Sequence, residues 1–147
     1  MRIKSLAFAN SQKIPKKYTC DGAGISPPLS ISDVPKDTQS LALVVDDPDS
    51  PSGTWVHWTV WNIEPLVTDI LEATTPDGVV EGITSFGDQG YGGPCPASGT
   101  HRYFFKVYAL DTKLNLSEEA DKTELFEAMK GRILDEAELI GLYTRDR

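Results

Sequence analysis

Two segments of the chain are apolar on both faces, 40-SLALVV-45 and 101-HRYFFKVYAL-110. A strand that carries Leu, Val and aromatic residues at consecutive positions leaves no face for water. It must therefore lie in a sheet that is covered on both sides. A third run, 54-TWVHWTVWNI-63, is equally rich in β-branched and aromatic residues, and clusters of Pro, Gly and Asp separate the three. These segments are the predicted centre of a mainly β fold, with weaker strands expected near 3–8, 29–31 and 79–84.

The tail has a different period. Ser117 is a predicted helix N-cap, with Glu118 and Glu119 suited to the positive end of the helix. Leu125, Phe126, Met129 and Ile133 recur at helical spacing and form an apolar stripe to cover the sheet. Gly131 is expected to end or interrupt this helix, and 139-LIGLYT-144 is read as a second short helix or a terminal strand.

Without internal repeats or a low-complexity linker, the 147 residues are read as one domain, 1–147. A formal net charge of −8 argues against nucleic acid and against stable residence on an anionic membrane. The N-terminal residues alternate apolar with polar, unlike a signal peptide, and no later segment is long enough to span a bilayer. A cytoplasmic setting with reduced thiols is the resulting expectation. Cys20 and Cys95 are too few for a disulfide scaffold and lack metal-finger spacing, but a bridge between them stays open. No cofactor is expected.

The chain has two histidines, and each stands at a proline-rich turn: 46-DDPDSPSGTWVHW-58 and 91-YGGPCPASGTHRY-103. Period-two geometry puts Trp55, His57, Thr59 and Trp61 on one face of their strand, and His101, Tyr103 and Phe105 on one face of theirs. In the first strand Leu41, Leu43 and Val45 share a face with Asp47. If the strands are neighbours, Asp47, His57, His101 and Tyr103 converge at one rim of the sheet, with the turns as lips and Trp55, Trp58 and Pro94 alongside. Two imidazoles, a phenol and loop amides are mostly donors, and a nearby carboxylate is expected to favour cationic histidines. Such a set suits a phosphate or carboxylate group.

Four segments, 20-CDGAGISPPLSISDVP-35, 41-LALVVDDPDSPSGTWVHWTVWNI-63, 90-GYGGPCPASGTHRYFFKVYALD-111 and 124-ELFEAMKGRILDEAELIGLYTR-145, resemble the phosphatidylethanolamine-binding (Raf kinase inhibitor-like) proteins, in particular their small bacterial and archaeal branch. Ile31 departs from the tryptophan usual after SPPLS, and Arg132 from a histidine common in relatives. The resemblance implies a β-sandwich with a large central antiparallel sheet, a smaller sheet and C-terminal helices. It implies a ligand site at Asp47, His57, Gly93, Pro94, His101 and Tyr103 for phospholipid headgroups, nucleotides or phosphorylated side chains, and a homodimer. The expected role is a non-catalytic binding protein. The rival readings are an inhibitor of a kinase or serine protease, and a hydrolase using a metal or a Cys95–His pair.

Overall fold

The computed structural model describes residues 1–145. In chain order the elements are β1 (Arg2–Lys4), β2 (Gln12–Lys13), a 3-10 turn (Lys16–Tyr18), β3 (Leu29–Ser32), β4 (Ser40–Asp47), β5 (Trp55–Ile63), β6 (Asp69–Ile70), β7 (Val80–Glu81), β8 (His101–Leu110), α1 (Lys122–Met129) and β9 (Ile133–Tyr143). The large sheet runs β2-β9-β8-β4-β5-β7 and the small one β1-β3-β6. All neighbours are antiparallel except the short parallel pair β2–β9.

β4 and β8 are adjacent and central, where two-sided apolarity requires them to be. Leu41, Leu43 and Val45 of β4 join Phe105 and Val107 of β8 in a core closed by Ile3, Leu29, Ile31 and Ile70 of the small sheet. On the reverse face Ala42, Val44, Trp61, Tyr108 and Leu110 pack against Leu125 and Met129 of α1. Each central strand thus buries one side chain between the sheets and the next beneath the helix. Ile31 is fully accommodated between the sheets, at 2% exposure.

The helix N-cap lies four residues after Ser117. Asp121 is the N-cap and forms a reciprocal capping box with Glu124, whose N–H donates to the Asp121 carboxylate at 3.0 Å. Ser117 instead anchors a preceding turn, with its carbonyl accepting from the Ala120 N–H. Leu125 and Met129 are buried as expected, but Ile133 begins β9 and is 40% exposed. Gly131, at φ 77°, is the stop: it turns the chain through a left-handed conformation that favours glycine. The 139–144 segment is strand, so α1 is the single α-helix among the described residues.

Among the described residues the first half of β9 has no outer partner strand, and its side chains include Asp135, Glu136 and Glu138. Charges on an open edge discourage strand addition. Among the described residues no helix is long and apolar enough to cross a membrane.

Candidate functional site

Adjacent aspartates at the end of β4 serve opposite faces. Asp46 points beneath the helix, 1% exposed, and accepts from Lys122 at 2.8 Å and Lys106 at 3.4 Å. Asp47 points to the other face, where its Oδ2 accepts from His101 Nδ1 at 2.6 Å and its Oδ1 from the Asp49 N–H at 2.8 Å. His101, Tyr103 and Phe105 share that face of β8, as alternation predicts.

His57 arrives by a different route. Val45 pairs with Trp58 and Asp46 with Val56, so His57 is the extra residue of a β-bulge. Strict alternation would have kept His57 with Thr59 and Trp61, and Trp61 lies in the core beneath the helix. The bulge breaks that grouping and lets His57 and Trp58 both stand on the face of Asp47. The His57 ring then meets Tyr103 edge-on at 5.3 Å, while Tyr103 stacks with His101 at 6.4 Å.

The four side chains Asp47, His57, His101 and Tyr103 open onto one cavity of about 250 Å³. Its walls are Ser50, Pro51 and Ser52 of the β4–β5 turn, Trp55, Phe86, and Cys95, Pro96 and Ala97 of the loop before β8. Gly93 and Pro94 are placed beside it. A Cβ on Gly93 would lie 3.0 Å from the Thr19 backbone, and Pro94 is buried with its carbonyl accepting from Cys20 N–H. Their backbone turns the loop back towards the core, so the two following residues supply the wall. Trp58 is also turned away: it is buried in the core and donates Nε1–H to the half-buried Glu81 of β7 at 2.8 Å.

Phe86 was not legible as a wall residue: it sits in a Ser-Phe-Gly turn and is 47% exposed. It packs edge-on against Trp55 and His57 at 5.5 and 5.4 Å. Its ring also lies over Gly92, where a Cβ would come within 2.2 Å of it. The absence of a side chain at Gly92 is therefore what allows this aromatic wall.

The protonation pattern is constrained. His57 Nδ1 donates to the Gly92 carbonyl at 2.7 Å, and Gly92 N–H returns a bond to the His57 carbonyl. His101 Nδ1 donates to the Asp47 carboxylate. With both Nδ1–H groups committed, Nε2 is the nitrogen left to each ring for a ligand, and both rings line the cavity. Burial, the largest influence, holds the His57 pKa below the usual histidine value. The neighbouring carboxylates pull the other way and do not prevail. The expectation of a readily cationic His57 is corrected accordingly.

The Tyr103 hydroxyl is buried on the cavity floor, close to the Asp47 carboxylate but without a well-formed hydrogen bond among the described residues. Burial first, and the Asp47 charge second, push its pKa far up, so it remains a donor. An unmet buried hydroxyl costs about 1–3 kcal/mol. Tyr103→Phe is therefore expected to raise the stability of the unliganded protein, measured by urea unfolding, by up to about that amount.

Two covalent or ionic ties shape the rim. Arg102 grips Asp49 through Nε and Nη2, each at 2.9 Å, and its backbone N–H donates to the same carboxylate. The Arg102 contacts lower the Asp49 pKa to about 2. Cys20 and Cys95 are joined in a disulfide, which replaces the expectation of reduced thiols and leaves no Cys95 thiolate to pair with a histidine. Among the described residues no group of three or more His, Cys, Asp or Glu is placed to hold a metal ion.

A family model described as phosphatidylethanolamine-binding protein matches residues 4–144. A UPF0098 protein of Methanothermobacter thermautotrophicus is 52% identical over 150 residues, spanning 99% of both chains. A UPF0098 protein of Chlamydia muridarum is 48% identical, spanning 99% of this chain and 100% of that one. Among solved structures, a phosphatidylethanolamine-binding protein homolog from Chlamydia trachomatis is 46% identical with a TM-score of 0.95, covering 99% of this chain and 97% of that one. Escherichia coli YbcL, described as a member of the mammalian PEBP family, is 32% identical with a TM-score of 0.92, covering 99% and 98%.

Proposed function

The chain belongs to the phosphatidylethanolamine-binding protein family, and we propose that it is a non-catalytic binding protein whose Asp47–His57–His101–Tyr103 cavity holds the phosphate-bearing group of a small molecule or a phosphorylated side chain. One observation carries this reading: two imidazoles from distant segments line one small cavity with each Nδ1 tied to an oxygen, which leaves Nε2 of each ring for a ligand. The unpartnered Tyr103 hydroxyl adds a third donor, and Trp55 and Phe86 offer apolar surface for whatever carries the phosphate. The cavity volume suits a headgroup-sized ligand.

The arrangement makes binding proton-linked. Because His57 Nδ1 already carries a proton, its Nε2 can donate to a fully ionised oxyanion only when that ring becomes imidazolium. Anion binding therefore takes up protons, and affinity falls as pH rises. Sulfate, whose charge is constant near neutrality, isolates the protein's part of this effect. Calorimetric titration with sulfate in buffers of different ionisation enthalpy is expected to report proton uptake, with weaker binding at higher pH. Affinity that is independent of pH, or no binding of sulfate and phosphate at all, would contradict the reading.

The same linkage acts on stability with a definite sign. A histidine whose folded pKa lies below its unfolded value contributes stability that is complete above the unfolded pKa. That contribution is lost as pH falls towards the folded one. A bound anion favours the imidazolium and opposes that loss, so saturating phosphate is expected to flatten the acid side of the stability profile.

A further inference from the structure

The wall formed by Cys95, Pro96 and Ala97 is held unevenly. Its inner end is fixed, with Gly92 exchanging bonds with His57 and the Pro94 carbonyl accepting from Cys20 N–H. From Cys95 to Gly99 no backbone hydrogen bond ties the loop among the described residues, and all these residues except Pro96 are exposed. The disulfide to Cys20 is the covalent tie in this stretch.

Its other end is anchored firmly. Thr19 N–H and Oγ1 both donate to the Lys16 carbonyl, Asp21 N–H donates to Thr19 Oγ1, and Gly22 N–H donates to the Thr19 carbonyl. The Asp21 carboxylate accepts from Tyr143 at 2.6 Å and from Arg145 at 2.9 Å. A loosely bonded cavity wall is thus fastened to a well-bonded turn by one bridge, and both of its cysteines are exposed to solvent.

We propose that the Cys20–Cys95 bridge is a reducible clasp on the anion cavity, a site of thiol–disulfide exchange at which a dithiol reductant loosens the wall and weakens ligand binding. This rests on the anion reading of the cavity. A thiolate of the reductant attacks one sulfur of the bridge, breaking the S–S bond and forming a mixed disulfide. The second thiol of the reductant displaces the protein sulfur and closes its own disulfide. In balance, two electrons and two protons pass to Cys20 and Cys95, and the dithiol is oxidised. The freed residues must then be ordered each time a ligand binds, so affinity falls without loss of any donor.

The test compares the oxidised protein, the protein reduced with dithiothreitol, and the Cys20→Ser/Cys95→Ser variant, using inorganic phosphate as probe and hydrogen exchange as a second readout. Reduction is expected to weaken phosphate binding about tenfold or more, since ordering one freed backbone residue costs about a decade of affinity. The Cys20 amide, whose bond to the Pro94 carbonyl closes the joint beside the bridge, should exchange faster while β4 and β8 stay protected. The double variant should match the reduced protein and ignore dithiothreitol. Equal phosphate affinity in the two redox states, unchanged exchange at the Cys20 amide, or a bridge that resists dithiothreitol in the folded protein would overturn the proposal. So would loss of protection in β4 and β8, which would make the bridge a staple of the whole fold. Oxidised protein that fails to bind phosphate would instead defeat the anion reading, and the exchange comparison would still decide whether the bridge holds this wall.

Discussion

Replacing Phe105 with alanine is expected to lower the unfolding free energy by about 3–5 kcal/mol, one of the largest effects available in this chain. Phe105 is fully buried in β8, paired with Val45 on one side and Leu139 on the other, and its ring packs against Phe8 at 5.6 Å. A central strand flanked on both edges cannot shift to fill the void, so the cost includes the cavity as well as the lost transfer energy. Because whole domains are stable by only about 5–15 kcal/mol, this single change removes a large share. Urea unfolding followed by tryptophan fluorescence measures it. A loss below about 1 kcal/mol would mean that the inter-sheet core is not packed around this ring.

Phe105 also stands two residues from Tyr103 and four from His101 on the same strand face, so the core that it completes holds those side chains in place. The second large effect concerns His101. His101→Ala is expected to weaken phosphate binding about a hundredfold, in line with about 1.5–3 kcal/mol for a hydrogen bond to a charged group. It should also destabilise the unliganded fold, because the Asp47 carboxylate, 3% exposed, loses the partner of its Oδ2 and keeps only the Asp49 N–H at Oδ1. His101→Asn separates the two consequences. The asparagine amide reaches the position of Nδ1 and can donate to Asp47, but it has nothing at Nε2. Stability is expected to stay within about 1 kcal/mol of the parent, since the buried carboxylate keeps its bond, while phosphate binding is still lost. A His101→Asn protein that binds phosphate normally would remove His101 from the ligand contacts and leave it a purely structural partner of Asp47.

How much of this was legible beforehand varied from element to element. Val, Leu and aromatic density marked β4, β5 and β8 almost to their ends. Alternation in β8, a regular strand at that end, correctly put His101, Tyr103 and Phe105 on one face. The same rule failed in β5, where a bulge moved His57 out of register with Thr59 and Trp61. The Asp121…Glu124 spacing carried the capping-box signal, yet Ser117 with its following glutamates presented an equally plausible start in one dimension. Loop residues were the least legible. Pro96 and Ala97 line the cavity where Gly93 and Pro94 were expected, and Phe86 enters from a turn with no periodic signature.

The composition and period of the chain were sufficient to require a covered sheet, a helix to cover one of its faces, and a strand carrying His101 and Tyr103 side by side. Those features follow from local rules, namely which side chains tolerate water and how far successive residues rotate. The meeting of His57 with His101, the joining of Cys20 to Cys95 across 75 residues of sequence and the choice of wall residues depend on where distant segments come to rest. A bulge, a turn and a loop each add a displacement that no repeat encodes, and only packing against the rest of the molecule selects its direction.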